Sequence, residues 1–275
     1  MTASSHPRIT FIGGGNMASA IIGGLLRQGH PPACLQVVEP WDEQRQRLAA
    51  QFPGVVLSAS ASAGQGEPDL VVWAVKPQVF REAAAAAAPF LGQALHLSVA
   101  AGITSDSMVR WLGTERIVRA MPNTPALVGL GMTGLFAREG TSEADRQQVE
   151  AVVRTTGDFV WVGAEQDLDA VTALSGSGPA YVFYFLEAMR DAGVDMGLAP
   201  EVAYRLAVGT FVGAATLARQ SAEPPQLLRE RVTSRGGTTH AAITAMEDSG
   251  MRQRFAQALE AARARAAELG REFGR

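Results

Sequence analysis

The sequence predicts an α/β domain with a mostly parallel sheet, followed by an all-α C-terminal domain. Three observations predict it. Up to residue 162, short β-rich runs alternate with helical segments, a pattern that calls for parallel strands joined by right-handed crossovers. From residue 167 onward no convincing strand is found, only helical segments. At 275 residues, 47% hydrophobic and 19% charged, the chain is long enough for two ordinary domains and apolar enough to fill both cores.

The elements follow in order. Residues 8–12 form an apolar strand that runs into Gly13, Gly14 and Gly15. Residues 16–28 are small and apolar and read as a helix stopped by Gly29. Strands are expected at 35–39 and 55–57, with a polar-faced helix at 42–52 between them, closed by Pro53 and Gly54. Residues 69–75 read as a strand, apolar without break after Asp69, as a strand covered on both faces must be. Helix 81–91, strand 94–99, helix 105–112, strands 117–120 and 132–137, helix 142–155 and strand 159–162 complete the first domain. The pattern changes after Gly163. Helical segments at 167–175, 180–192, 200–220, 224–231, 239–248 and 251–272 make up the second. The domains are therefore assigned to residues 1–164 and 165–275.

Composition excludes several functions. Net charge is −3, so no strong basic field exists to hold a nucleic-acid backbone. Cys34 stands alone, which rules out an intrachain disulfide or a multi-thiolate metal site and fits a cytoplasmic protein. His6, His30, His96 and His240 show no ligand spacing, so no metal is expected. No targeting segment is seen, and no window of about 18 uncharged apolar residues suggests a membrane span. Of 24 basic residues only Lys76 is a lysine, an arginine bias that a GC-rich genome would also produce.

Gly13-Gly14-Gly15-Asn16-Met17-Ala18 fits G-x-G-x-x-G/A between a strand and a helix, the context that gives this pattern meaning. Gly13 allows the tight turn, Gly15 lets the backbone approach a pyrophosphate, and Ala18 permits close helix–strand contact. The N–H groups at Asn16 and Met17 then face the phosphates with the positive end of the helix dipole. The first domain is thus expected to be of Rossmann type. Glu39 ends the second strand, the position of an acid that accepts a hydrogen bond from a ribose 2′-OH. Such an acid favours NADH, but Arg45 and Arg47 one turn on could balance it for NADPH, so both cofactors stay open. Ala74-Val75-Lys76-Pro77 and Val99-Ala100-Ala101-Gly102 end the next strands, where ligands of doubly wound sheets bind. After the sixth strand comes Met121-Pro122-Asn123-Thr124-Pro125, whose Asn123 either bonds a ligand or caps its own turn.

The helical half holds two glycine-rich segments. Ser175-Gly176-Ser177-Gly178-Pro179 reads as a loop before a helix, with Pro179 suited to the helix's first position. Thr233-Ser234-Arg235-Gly236-Gly237-Thr238-Thr239-His240 precedes another. Here bare N–H groups and hydroxyls suit a carboxylate, while Thr238 or Thr239 could equally serve as an ordinary N-cap. Residues 180–189 and 206–217 are apolar on almost every face, and such helices must be covered all round. A second copy of the chain would supply the cover.

Taken together, these segments resemble the pyrroline-5-carboxylate reductases over nearly the whole chain. The resemblance rests on Phe11 to Ala18, Ala74 to Pro77, Ala100 to Gly102, Met121 to Pro125, Leu174 to Tyr181, and Val232 to Thr239 apart from Arg235. It implies NADPH- or NADH-dependent reduction of a cyclic imine, 1-pyrroline-5-carboxylate, to L-proline. It also implies a homodimer formed through the C-terminal helices, and assembly into a ring of five dimers. By the same resemblance Ile12, Gly13, Gly15, Asn16, Met17, Ala74, Val75, Lys76, Pro77, Val99, Ala100, Ala101 and Gly102 contact the dinucleotide. Glu165, Gly236, Gly237, Thr238 and Thr239 face the substrate, with Thr239 nearest the chemistry. The chain departs from the family at Glu39, where many relatives have Ser, Asn or Arg. It departs also at Arg235, where Pro or Lys is common, and at Ala61, near which some relatives have Asn. Hydroxyacid dehydrogenases of similar plan use a lysine in the second domain, and none is present here.

Overall fold

The computed structural model of the chain describes residues 6–62 and 66–274; residues 1–5 and 275, at the outer ends of the two expected domains, lie outside it. Its contacts separate two compact units. One comprises residues up to Ser177 together with the C-terminal stretch from Ala262; the other runs from Gly178 to Ala261.

The first unit is built on an eight-stranded sheet: β1 (Ile9–Ile12), β2 (Leu35–Val38), β3 (Val56–Ser58), β4 (Leu70–Trp73), β5 (Leu95–Ser98), β6 (Ile117–Met121), β7 (Gly131–Ala137) and β8 (Gly157–Trp161), in the order 3-2-1-4-5-6-7-8. Every residue of β1, β2, β4 and β5 is buried, as in strands covered on both faces, although only β4 is apolar throughout. Alternation divides their side chains between two cores. Ile9 and Phe11 join Leu70, Val72, Leu95 and Leu97 on one face, against α1 (Asn16–Arg27) and α5 (Glu143–Val153). Ile12, Val71 and Trp73 lie on the other, with Phe80 of α3 (Pro77–Ala87) and Met108 of α4 (Ser105–Leu112). Helix α2 (Asp42–Gln51) links β2 and β3. All neighbouring strands run parallel except β6 and β7. That reversal follows from chain length: residues 122–130 are too few for a parallel crossover, which takes about a dozen or more.

Strand order turns back at β1, which has β2 on one side and β4 on the other. In doubly wound sheets ligands bind in the crevice at this switch point, beyond the carboxyl ends of the strands.

After β8, α6 (Asp167–Val171) passes into a π-helical turn, Thr172–Gly176. The glycine-rich segment expected as a loop is therefore wound: the Ser177 N–H donates to the Thr172 carbonyl at 2.8 Å, a five-residue step. A Cβ on Gly176 would stand 2.6 Å from Met121 Cε, so glycine lets this turn lie against the end of β6.

The second unit contains α7 (Gly178–Asp195), α8 (Pro200–Gln220), α9 (Pro225–Arg231), α10 (Thr238–Asp248) and the first half of α11 (Met251–Phe273). Helices α7 and α8 close tightly at one point, where a Cβ on Gly193 would come within 2.8 Å of Ala203 Cβ. Tyr181 and Phe185 of α7 pack edge-on to Phe255 of α11, each 5.8 Å away between ring centres. The end of α11 belongs to the α/β unit: Ser107 Oγ and the Arg110 guanidinium each donate to the Gly274 carbonyl at 2.6 Å.

Candidate dinucleotide and substrate sites

β1 ends at Ile12, and Gly13 turns the chain with a φ of +94° that disfavours a side chain. Its N–H donates to the Val38 carbonyl at 2.9 Å. A Cβ there would lie 2.7 Å from the Ala74 carbonyl oxygen and 2.9 Å from a Val75 methyl. Gly15 is the N-cap of α1 and has no side chain with which to cap it. The first N–H groups of the helix, at Asn16, Met17 and Ala18, therefore await an acceptor. A Cβ at Gly15 would meet nothing within 4 Å, so the space above the turn is open. An open cradle over uncapped N–H groups fits a pyrophosphate.

The neighbouring strand ends fall in step beside it. The Ala74 N–H donates to the Ile12 carbonyl at 2.8 Å, and the Val99 N–H donates to the Trp73 carbonyl at 3.0 Å. This brings Ile12 to Met17, Ala74 to Pro77 and Val99 to Gly102 to one edge of the sheet. Lys76 is the exposed N-cap of α3, with Pro77 at the first helical position. Ser98 Oγ accepts from the Ala100 N–H at 3.3 Å. Gly102 has a φ of +73°, and a Cβ there would press to 3.3 Å on Leu269 of α11, so this glycine also has a packing reason.

Three further residues shape this region. Gly14, the unspecified position of the motif, is as constrained as its neighbours: a Cβ would lie 2.5 Å from Leu48 Cδ1. Gln44 Nε2 donates to the Gly14 carbonyl at 2.6 Å. Trp41, exposed beside Glu39, donates its N–H to Glu39 Oε1 at 3.1 Å. Glu39 Oε2 accepts from the Gly14 N–H at 2.9 Å, which ties the end of β2 to the glycine turn. The run of three glycines was the available signal for Gly14; nothing local signalled Gln44.

Asn123 acts within the fold. Its Oδ1 accepts from the Met132 N–H at 2.9 Å and its Nδ2 donates to Ser175 Oγ at 3.2 Å, joining the β6–β7 link to the π turn. Glu165 is similarly engaged. Its carboxylate accepts from the Ser105 N–H and Oγ, both at 2.6 Å, and from the Arg119 guanidinium at 2.7 Å. It thus sits at the positive N-terminus of α4, within the first unit. Ser105 and Arg119 were not anticipated, being 60 and 46 residues from Glu165 in sequence. Nearby, burial pushes the Asp169 carboxyl up, while Arg119, Arg263 and Arg271 pull it down.

The hydroxyl-rich loop opens α10. Gly236 takes a φ of +75° and Gly237 is the N-cap. A Cβ on Gly237 would approach Ser234 Oγ to 2.6 Å. The helix begins at Thr238, and no side chain caps it. The ordinary N-cap reading of Thr238 and Thr239 therefore fails: both lie inside the first turn, where their hydroxyls are past the capping position. Uncapped N–H groups, two threonine hydroxyls and the positive dipole end compose an anion-receiving terminus.

A doubly wound sheet with an open glycine turn at its switch point has the form of a dinucleotide-binding domain, and comparison with known proteins places the chain among NAD(P)H-dependent oxidoreductases. Residues 8–102 match the family model described as NADP oxidoreductase, coenzyme F420-dependent, and residues 165–269 match that for pyrroline-5-carboxylate reductase dimerisation. The chain is 45% identical to a pyrroline-5-carboxylate reductase of Pseudomonas aeruginosa, over 98% of this chain and 99% of that one. A solved pyrroline-5-carboxylate reductase from Coxiella burnetii superposes with a TM-score of 0.90 at 38% identity, covering 96% and 99% of the two chains. The Plasmodium falciparum enzyme, solved with NADP bound, gives 0.84 at 28% identity, covering 98% and 100%. The chain belongs to the pyrroline-5-carboxylate reductase family.

Proposed function

We propose that the chain reduces 1-pyrroline-5-carboxylate to L-proline with NADPH or NADH, the last step of proline biosynthesis, in the cytoplasm. The observation that carries this reading is the pair of helix N-termini, at Gly15 and Gly237, that open on glycine and lack any side-chain cap. Within a family of this name, one suits the pyrophosphate and the other the substrate carboxylate.

When bound, a reduced nicotinamide supplies the hydride for C5 of the imine. The chain's part is to hold and orient. Gly13, Gly15, Asn16 and Met17 receive the phosphates, with Ile12 beneath them. Glu39 receives the adenosine ribose. Ala74 to Pro77 and Val99 to Gly102 line the cofactor at the strand ends, and Lys76 adds a positive charge there. Gly236, Gly237 and Thr238 hold the carboxylate through N–H groups, and the Thr239 hydroxyl bonds the ring nitrogen or a carboxylate oxygen. A protonated imine is already electrophilic, and its proton comes from solvent, so no strong acid is needed beside it. Glu165, held by Ser105 and Arg119 at the start of α4, is proposed to face the substrate as well. Residues 1–164 are proposed as the cofactor domain and 165–275 as the dimerisation and substrate domain. The dimers are proposed to join in a ring of five.

The test is oxidation of NADH or NADPH by the purified protein with and without pyrroline-5-carboxylate, with proline identified as product. Absence of substrate-dependent oxidation with either cofactor overturns the reading. Sedimentation distinguishes a ring of ten chains from a free dimer.

A further inference from the structure

We infer that this chain selects NADH over NADPH, through Glu39 and the capture of Arg45, the covered arginine that could have offset it. The inference rests on the proposal that the Gly13–Gly15 turn holds the dinucleotide pyrophosphate. A carboxylate offers about four lone-pair sites. At Glu39 one is taken by the Gly14 N–H at 2.9 Å and one by the Trp41 N–H at 3.1 Å. These two bonds brace the carboxylate against the glycine turn and leave it capacity for two further donors. The 2′- and 3′-hydroxyls of an adenosine ribose are donors. A 2′-phosphate offers none in its ionised form and brings like charge to the same place.

A chain that accepts the 2′-phosphate needs a cation free to meet it. Arg45 and Arg47 are the basic residues of the adjoining helix α2. Arg45 is committed: its guanidinium donates to the Glu39 carbonyl at 2.7 Å and to Asp42 Oδ1 at 3.0 Å, with the side chain largely covered. Arg47 pairs with Glu43 at 2.5 Å, one turn along the exposed face. Asp42 and Glu43 therefore add negative charge to the helix start; Arg45, covered and twice bonded, is held, while the exposed Arg47–Glu43 pair holds Arg47 only weakly. Turning Arg45 toward a phosphate would break two hydrogen bonds and leave the Glu39 carbonyl without this donor.

The experiment measures binding without chemistry. Adenosine diphosphate ribose and its 2′-phosphorylated form are titrated into the purified protein by calorimetry, with the difference in fluorescence between the wild-type protein and Trp41→Phe as a second readout. The unphosphorylated ligand is expected to bind at least about tenfold more tightly, the scale of a like-charge contact partly screened by water. Glu39→Gln keeps an acceptor for the Gly14 N–H but removes the charge, and should narrow that ratio. Asp42→Ala frees one arm of Arg45 and should narrow it independently, so failure of one variant to fold leaves the other as the test. Equal or tighter binding of the phosphorylated ligand to the wild-type protein overturns the inference. So does an unchanged ratio in folded Glu39→Gln. Failure of both ligands to bind overturns the dinucleotide reading itself, a distinguishable result.

Discussion

The α/β unit and the helical unit treat their apolar residues in opposite ways. In the first, β1, β2, β4 and β5 are buried end to end, and Phe11, Trp73 and Phe80 expose essentially no surface. In the second, α8 spans 21 residues of which only Ala203 and Ala207 are buried. Phe183 and Tyr184 of α7 are 59% and 70% exposed, and Val212 and Leu217 of α8 are 62% and 67% exposed. The α/β unit contains its own cover. The helical unit is folded around a surface that another chain must complete, which agrees with its match to a dimerisation family.

The largest expected effect breaks this contrast directly. Substituting Phe183→Glu and Val212→Glu together would place charges in the apolar contact. The protein should then lose its dimer, and with it folded helical structure, because obligate partners have little stability apart. Sedimentation and circular dichroism measure both. A wild-type protein that sediments as a compact, fully folded single chain at micromolar concentration would remove the need for a partner.

Next comes the glycine turn, where Gly13 and Gly15 separate folding from binding. Gly13→Ala should destabilise by about 1–2 kcal/mol from its positive φ alone. The clash with the Ala74 carbonyl adds to that. Gly15→Val has open space before it and should leave the melting temperature nearly unchanged while abolishing dinucleotide affinity. If Gly15→Val binds cofactor normally, the turn is structural and the dinucleotide lies elsewhere.

A third effect tests how dry the α/β core is. His96 is 2% exposed, its Nδ1 accepts from Trp73 Nε1 at 3.0 Å, and burial lowers its pKa to about 4. The unfolded value is near 6.5. Above that pH the imidazole is neutral in both states and contributes no pH dependence. Below it the unfolded chain takes the proton first, so stability falls as pH drops from about 6.5 toward 4. The difference amounts to roughly 3 kcal/mol when complete. Denaturation at pH 7 and pH 4.5 should show this loss in the wild-type protein and a smaller one in His96→Gln, which retains an acceptor for Trp73. Equal losses would place the pH dependence on other groups.

The two units were also unequally legible in sequence. The continuous apolar run of β4 and the largely apolar β1 announced strands without tertiary information, whereas β5, Leu-His-Leu-Ser, hides a buried His96 and Ser98. The reversal at β7 was implicit in the short 122–130 link but is a property of pairing, which periodicity does not report. Helices of the second unit began and ended within a few residues of expectation because glycine and proline bound them. What stayed hidden was long-range. Glu165 meets Ser105 across 60 residues, and the end of α11 joins the α/β unit although its helical pattern is unbroken. The π turn at Thr172–Gly176 was hidden differently, since its Ser-Gly-Ser-Gly composition suits a loop as well as a wound turn pressed on Met121.

The smallest effect compares two threonines at helix starts, one in each unit. Thr104 caps α4: its Oγ1 accepts from the Ser107 N–H at 3.2 Å. Thr239 caps nothing, since Gly237 holds that position in α10. Removing the two hydroxyls should therefore have different consequences. Thr104→Ala should lower stability by about 1 kcal/mol and leave the kinetics for the imine acid close to normal. Thr239→Ala should leave the melting temperature unchanged. Its loss would appear in catalysis, because a hydrogen bond to a charged ligand contributes about 1.5–3 kcal/mol, a roughly ten- to hundredfold fall in kcat/KM. Cofactor affinity should hold in both variants, since neither hydroxyl belongs to the glycine turn. Melting curves and both Michaelis constants on the two variants decide the matter. A Thr239→Ala protein that melts early yet reduces the imine at the wild-type rate would make the α10 terminus a structural corner and send the search for the carboxylate site elsewhere.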